Sequence, residues 1–127
     1  MLLISCSSVD TVNESVEPEQ DVFAAQILKD YRENEVAARN KYGNKVINVV
    51  GIVASIEQFG DKATVLLNDG NPENIGIKCT FNKDQFESLF NVKKGDMLSV
   101  VGIGEETKGY LDYYMHGCRV TALWASD

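Results

Sequence analysis

The tetrapeptide Val49-Val50-Gly51-Ile52 recurs as Val100-Val101-Gly102-Ile103, each copy inside a run of β-branched residues. From Lys45 onward the pattern has a period of two, with Ile47, Val49, Gly51 and Val53 on one face of a long strand. Glycine in the interior of such a strand marks a bulge or a sharp bend. Two strands that each bend are what a small closed barrel requires, because each must turn to join both halves of the sheet. The echo therefore predicts a barrel rather than an open sheet.

The rest of the pattern supplies the remaining strands. Ala63 to Asn68 reads as a second strand, and Asp69-Gly70-Asn71-Pro72 as a breaker after it. Ile75, Ile77, Cys79 and Phe81 then alternate with Gly76, Lys78 and Thr80, a half-buried third strand. Asn82 with Gln85 three residues on predicts a capped short helix whose buried face is Phe86, Leu89 and Phe90. Met97 to Ile103 and Gly117 to Leu123 are the fourth and fifth strands, separated by a loop over 104–116. Three strands, a short helix and two strands is the order of the OB-fold, a five-stranded Greek-key barrel. The expected fold is thus mainly β, with the short helix between strands 3 and 4 and an N-terminal helix packed on the barrel. That helix is expected over Asp21 to Tyr42, where Ala24, Leu28, Tyr31, Glu35, Ala38 and Tyr42 form one stripe between Pro18 and Gly43. Val49, Val53, Ile77, Phe81, Leu98, Val100 and Val120 are the expected core.

A chain of 127 residues fits one domain, here residues 20–127. Ahead of it, Leu3-Ile4-Ser5-Cys6 resembles a lipobox, which makes Cys6 a candidate for lipidation. Ser7 to Glu19 is polar, acidic and aperiodic, the composition of a disordered tether. Only five residues precede Cys6, short of the apolar stretch of a signal peptide, so an ordinary cysteine in a cytoplasmic tail is the alternative. No run is long enough for a transmembrane helix. The expected location is the bacterial cell envelope, lipid-anchored through Cys6 or periplasmic.

Several short motifs together resemble one family. They are Asn34-Glu35-Val36-Ala37-Ala38 followed by Tyr42, then Val49-x-Gly51-x-Val53 and Lys78-Cys79-Thr80-Phe81. Lys94-Gly95-Asp96, Val100-x-Gly102 and Gly117-Cys118-Arg119-Val120 complete the set. In order and spacing they are similar to the tRNA_anti-like family over about residues 25–123. These are small bacterial OB-fold proteins, many of them predicted lipoproteins. The resemblance implies the fold, brings no catalytic residues, and takes its name from a likeness to anticodon-binding domains.

OB-folds bind ligands across strands 2 and 3, flanked by the loops between strands 1 and 2 and strands 4 and 5. The ligand-binding candidates on that ground are Phe59, Lys62, Lys78, Tyr110, Tyr113, Tyr114 and His116. The tyrosines could stack bases, but a lid packed on the barrel or on the N-terminal helix is the alternative. The net charge of −7, with no basic stripe, argues against nucleic acid, whose affinity rests on Lys and Arg at phosphates. A protein or glycan partner is expected instead, with single-stranded nucleic acid as the alternative. One histidine without a nucleophile beside it, and no nucleotide-binding or hydrolase motif, predict a non-enzyme without cofactor. No Cys-x-x-Cys pair suggests zinc. Cys79 and Cys118 fall on strands expected to be neighbours and to point inward, where a disulfide or a pair of buried thiols is possible.

Overall fold

The computed structural model describes residues 10–71, 75–105 and 113–126. Six strands occur among them: β1 (Gln20–Phe23), β2 (Val46–Phe59), β3 (Lys62–Asn68), β4 (Ile77–Asn82), β5 (Met97–Gly104) and β6 (Tyr113–Trp124). The last five close a barrel in the order β2-β3-β4-β6-β5 and back to β2. Closure depends on the length of β2. Val46–Ile52 pairs antiparallel with β5, and Ile52–Phe59 pairs antiparallel with β3. This is the OB architecture, with a 3₁₀ helix (Lys83–Leu89) between β4 and β5.

The two glycines of the repeated tetrapeptide sit where the wall needs room. At Gly51 a side chain would lie 2.9 Å from Ala24 Cβ and 3.0 Å from Leu67 Cβ, so glycine lets the first helix close onto the barrel. The break in register on β2 falls a little later, between Val53 and Ser55. On β5 the register with β6 shifts between Val101 and Ile103, at Gly102 itself. Inside, Val49, Val53, Ile77, Phe81, Leu98 and Val100 are buried as expected, while Val120 is half-buried at the margin of the core.

The N-terminal region departs from a single helix over 21–42. Gln20–Phe23 is a strand, parallel to the first half of β2 on the edge that β3 leaves unpaired. Two helices follow, α1 (Ala24–Glu33) and α2 (Glu35–Tyr42), broken at Asn34. Asn34 is extended, and its side-chain oxygen accepts from the Ala37 N–H at 3.0 Å, an N-cap that restarts the helix. The apolar stripe survives the break: Ala24, Leu28, Tyr31, Ala38 and Tyr42 are buried, with Ile27 beside them.

The plug between β4 and β5 also differs. Leu89 is buried and Phe86 half-buried, but Phe90 is 76 % exposed. A 3₁₀ helix has three residues per turn, so positions 86 and 89 line up on one side and 90 turns away. Asn82 does not cap it; its side chain donates to Thr11 Oγ1 at 3.1 Å.

Residues 10–19, within the expected tether, lie on the barrel as a strap. The Val12 N–H donates to Gly117 O at 2.8 Å, Arg119 Nε donates to Val12 O at 3.0 Å, and the Glu19 N–H donates to Val46 O at 2.8 Å. Asn13 folds the chain between these anchors, its side chain accepting from the Ser15 N–H at 2.8 Å. The anchors stand on β6 and β2, the strands flanking β5, and the outward-facing Val101 of β5 is only 1 % exposed. Val12 is buried too. A single valine and two carbonyls held by Arg119 tie down a segment whose composition reads as disorder.

The C-terminal end is pinned by Asp96. Its carboxylate accepts from the Lys93 and Ser126 backbone N–H groups, each at 2.8 Å, and from Ser126 Oγ at 3.1 Å. The backbone N–H groups of Ser126 and Lys93 hold its pKa below the ordinary aspartate value.

Candidate ligand-binding face

The outward residues of β2, β3, β4 and β6 form ordered rows, because cross-strand partners share a face. One row runs Ser55, Leu66, Lys78, Tyr114; the next runs Glu57, Thr64, Thr80; the third runs Phe59, Lys62, Asn82. His116 follows Tyr114 two residues on and keeps to the same side. Most of these side chains are half-buried; Glu57 and Phe59 are exposed. The face thus presents hydroxyls, an amide, a leucine and a tyrosine, with charges of both signs at its margins.

The charges are mostly spoken for. Lys62 lies 3.9 Å from Asp61, and His116 Nδ1 lies 3.2 Å from Glu105 Oε2. Arg119 is committed to the strap. Lys78, between Leu66 and Tyr114, has no ion-pair partner among the described residues. Below the third row a groove of about 470 Å³ is lined by Asp10, Thr11, Asp61, Lys62, Asn82, Lys83 and Asp84. Its three carboxylates outnumber its two ammoniums.

The sequence-derived candidates divide accordingly. Phe59, Lys62, Lys78, Tyr114 and His116 do come together on this surface. Tyr113 does not: it points inward, 6 % exposed. Its ring stacks on Tyr31 with centroids 3.7 Å apart and planes 28° apart, and Tyr31 stacks in turn on Tyr42 at 6.1 Å. Tyr113 begins β6, which starts four residues before the expected Gly117 because Tyr113–Met115 pairs in parallel with Ile77–Cys79. It is therefore a packing residue against the N-terminal helices. Tyr110 and Cys6 lie outside the described residues. Ser55, Thr64, Leu66, Thr80 and Asn82 were not among the candidates. Strand alternation could have found them, since the outward set is the complement of the core set.

Behind the tyrosine stack, Asp30 binds the hydroxyl of Tyr42 and accepts from Gln26 at 2.8 Å, with Lys41 at 3.4 Å. Burial pushes the Asp30 carboxyl up, but these hydrogen bonds and the Lys41 charge outweigh it and leave the pKa lowered. Burial raises both Tyr31 and Tyr42, the latter far, with Asp30 adding to the effect. The cluster stays a neutral-tyrosine, charged-aspartate brace that joins α1 to α2.

Cys79 and Cys118 are both buried and both free. Burial raises the Cys118 thiol well above its ordinary value, and a hydrogen bond with the Cys79 side chain adds to this. No group of three or more His, Cys, Asp or Glu side chains suited to a metal ion occurs among the described residues. Among the same residues no helix is long and apolar enough to cross a membrane.

A family model described as tRNA_anti-like matches residues 5–112. A search of curated proteins returns no match. Among solved structures, the chain is similar to a "putative nucleic acid-binding lipoprotein" from Klebsiella pneumoniae at 17% identity and a TM-score of 0.65, covering 80% of this chain and 91% of that one. It is also similar to an OBody bound to hen egg-white lysozyme, at 16% identity and a TM-score of 0.52, over 66% of this chain and 83% of that one. At such identities the likeness is one of fold.

Proposed function

We propose that this chain, which belongs to the tRNA_anti-like family, is a non-catalytic OB-fold binding module of the bacterial cell envelope, anchored through Cys6. Its β2–β3–β4–β6 face would receive a protein or a glycan. The observation that supports this ligand class most is the make-up of the face. Rows of Ser55, Thr64 and Thr80 around Leu66 and Tyr114 offer hydrogen bonds and modest apolar contact. Polar surface of this kind, with Lys78 as a cation between Leu66 and Tyr114, suits peptide groups and sugar hydroxyls. The OBody neighbour bound to lysozyme supports the choice by analogy: there an OB barrel holds a protein.

Single-stranded nucleic acid is the second reading, and the Klebsiella neighbour's description favours it. Tyr114 and the exposed Phe59 could each stack a base for about 1–3 kcal/mol. What weighs against it is the shortage of cations: Lys62 and His116 face carboxylates, and the adjacent groove is acidic on balance.

Fluorescence anisotropy with labelled single-stranded DNA and RNA oligonucleotides, at about 150 mM salt, separates the two. The leading reading predicts binding weaker than micromolar and no dependence on Lys78. Sub-micromolar affinity that Lys78→Ala and Tyr114→Ala both abolish would replace it with the second. Cell fractionation tests the location: wild-type chain in the membrane fraction and Cys6→Ser released from it supports the anchor, and equal partition refutes it.

A further inference from the structure

We propose that Cys79 and Cys118 form a disulfide, closed by thiol–disulfide exchange with a disulfide-bearing oxidant, that staples the seam between β4 and β6. The inference does not depend on what the ligand face binds. Both cysteines are fully buried and unbridged, and the Cys79 thiol is among the neighbours that raise the Cys118 thiol. They stand on strands that are direct neighbours in the barrel. Gly102 on β5 makes the room: a Cβ there would lie 2.7 Å from Cys118 Sγ and 3.1 Å from Met115 Cε.

A covalent tie at this place has work that the backbone leaves undone. β4 and β6 pair only over Ile77–Cys79 and Tyr113–Met115. Past Cys79 the ladder ends, and the strap residues Thr11 and Val12 bond to Asn82 and Gly117 across the gap. Cys79 is thus the last residue of β4 paired with β6. Cys118 follows Gly117, whose φ of 62° turns the strand at that point. A sulfur–sulfur bond would hold the seam where hydrogen bonding stops, and would fix the two strands that carry Lys78 and Tyr114.

The exchange balances in two steps. One cysteine thiolate attacks the donor R–S–S–R, forming a mixed disulfide and expelling one R–S⁻. The other thiolate attacks the protein sulfur of that mixed disulfide, forming the Cys79–Cys118 bond and expelling the second R–S⁻. The cysteines lose two electrons, the donor gains them, and the two cysteine protons end on two R–SH. Burial keeps the thiolate scarce in the closed barrel, so exchange runs during folding or through an opened seam.

The test uses the full chain with Cys6→Ser, so that no third thiol competes. The chain is unfolded in urea, refolded in a mixture of reduced and oxidised glutathione, quenched in acid, alkylated and read by mass spectrometry without reductant. The expected product is two hydrogens lighter than the reduced chain and yields one cross-linked peptide joining Cys79 to Cys118. Its thermal midpoint should stand roughly 10 °C above that of the reduced chain, as expected for a closed loop of about 40 residues. Cys79→Ala and Cys118→Ala should each lose both the cross-link and the oxidant-dependent shift. The cross-link in the Cys6→Ser chain is read without relying on those variants. A refolded chain with two alkylated thiols or two glutathione adducts overturns the proposal, as does a bridged chain that melts no higher than the reduced one.

Discussion

Replacing Gly102 by alanine pushes one methyl group into the wall between β5 and β6. The new Cβ would sit 2.7 Å from Cys118 Sγ, 3.1 Å from Met115 Cε and 3.2 Å from His116 O. Two effects oppose each other. Alanine within a strand is favoured over glycine by about 0.5–1 kcal/mol through backbone entropy, whereas overpacking a filled core costs about 1–3 kcal/mol. Met115 Cε ends a flexible chain and can move aside. Cys118 Sγ turns on one torsion inside a closed core, and His116 O is backbone. The clash therefore wins, with a net loss of about 1–2 kcal/mol and a thermal midpoint lowered by roughly 4–8 °C. Cys118→Ala alone removes one buried sulfur, a loss of about 1 kcal/mol. With the sulfur gone the closest clash is removed and only the 3.2 Å approach to His116 O stays fixed, so the double variant should be more stable than the sum of the two single effects by about 1 kcal/mol or more. Urea denaturation followed by far-ultraviolet circular dichroism, under reducing conditions, measures all four chains. A neutral or stabilising Gly102→Ala, or strictly additive effects, would refute the packing derived for this wall.

Other outcomes follow from the same geometry. Leu89→Ala should cost about 2–4 kcal/mol in denaturant unfolding while Phe90→Ala stays within about 0.5 kcal/mol, because the 3₁₀ helix buries only the first; the reverse order would restore an α-helical plug. Arg119→Ala frees the Val12 and Asn13 carbonyls, so a glutamate-specific protease should cut at Glu14 faster than in the wild type with the barrel still folded; an unchanged rate would mean that Arg119 does not hold the strap. The depressed pKa of Asp96 gives stability that is present above the ordinary aspartate value of 3.8 and is lost as the pH falls through the folded value. The stability gap between wild type and Asp96→Asn should then be constant from about pH 5 to 7 and shrink in acid; a gap that widens in acid would contradict the assignment.

The barrel was readable because β-branched alternation reports burial directly, and the recurring Val-Val-Gly-Ile told which strands must bend. Local rules were weaker wherever one residue's long-range partner decided the outcome. Val22 and Phe23 continue a helical stripe on paper, yet the unpaired edge of β2 draws them into a strand. Phe90 looks as apolar as Phe86, and only the tighter 3₁₀ period separates their fates. Val12 carries no periodic signal at all; its burial depends on Arg119 and Gly117, more than a hundred positions away. On the candidate face, the positions of Phe59, Lys62, Lys78, Tyr114 and His116 were legible from loop and strand order. Tyr113 was ambiguous because adjacent residues of a strand face opposite sides, and the register of β6 decides which of Tyr113 and Tyr114 is outward.

Site-specific photo-crosslinking in the bacterial cell tests most directly where, and to what, the barrel binds. A photoreactive amino acid replaces Thr80, at the centre of the β2–β3–β4–β6 face, or, in a control chain, Lys94 on the turn before β5. After irradiation the adducts are treated separately with protease, lysozyme and nuclease and compared by gel mobility. An adduct is expected from position 80, absent from position 94, that nuclease leaves intact and that either lysozyme shortens or mass spectrometry of the protease digest traces to peptides of a second protein. Adducts of equal yield from both positions, or an adduct at position 80 that nuclease removes, would contradict it.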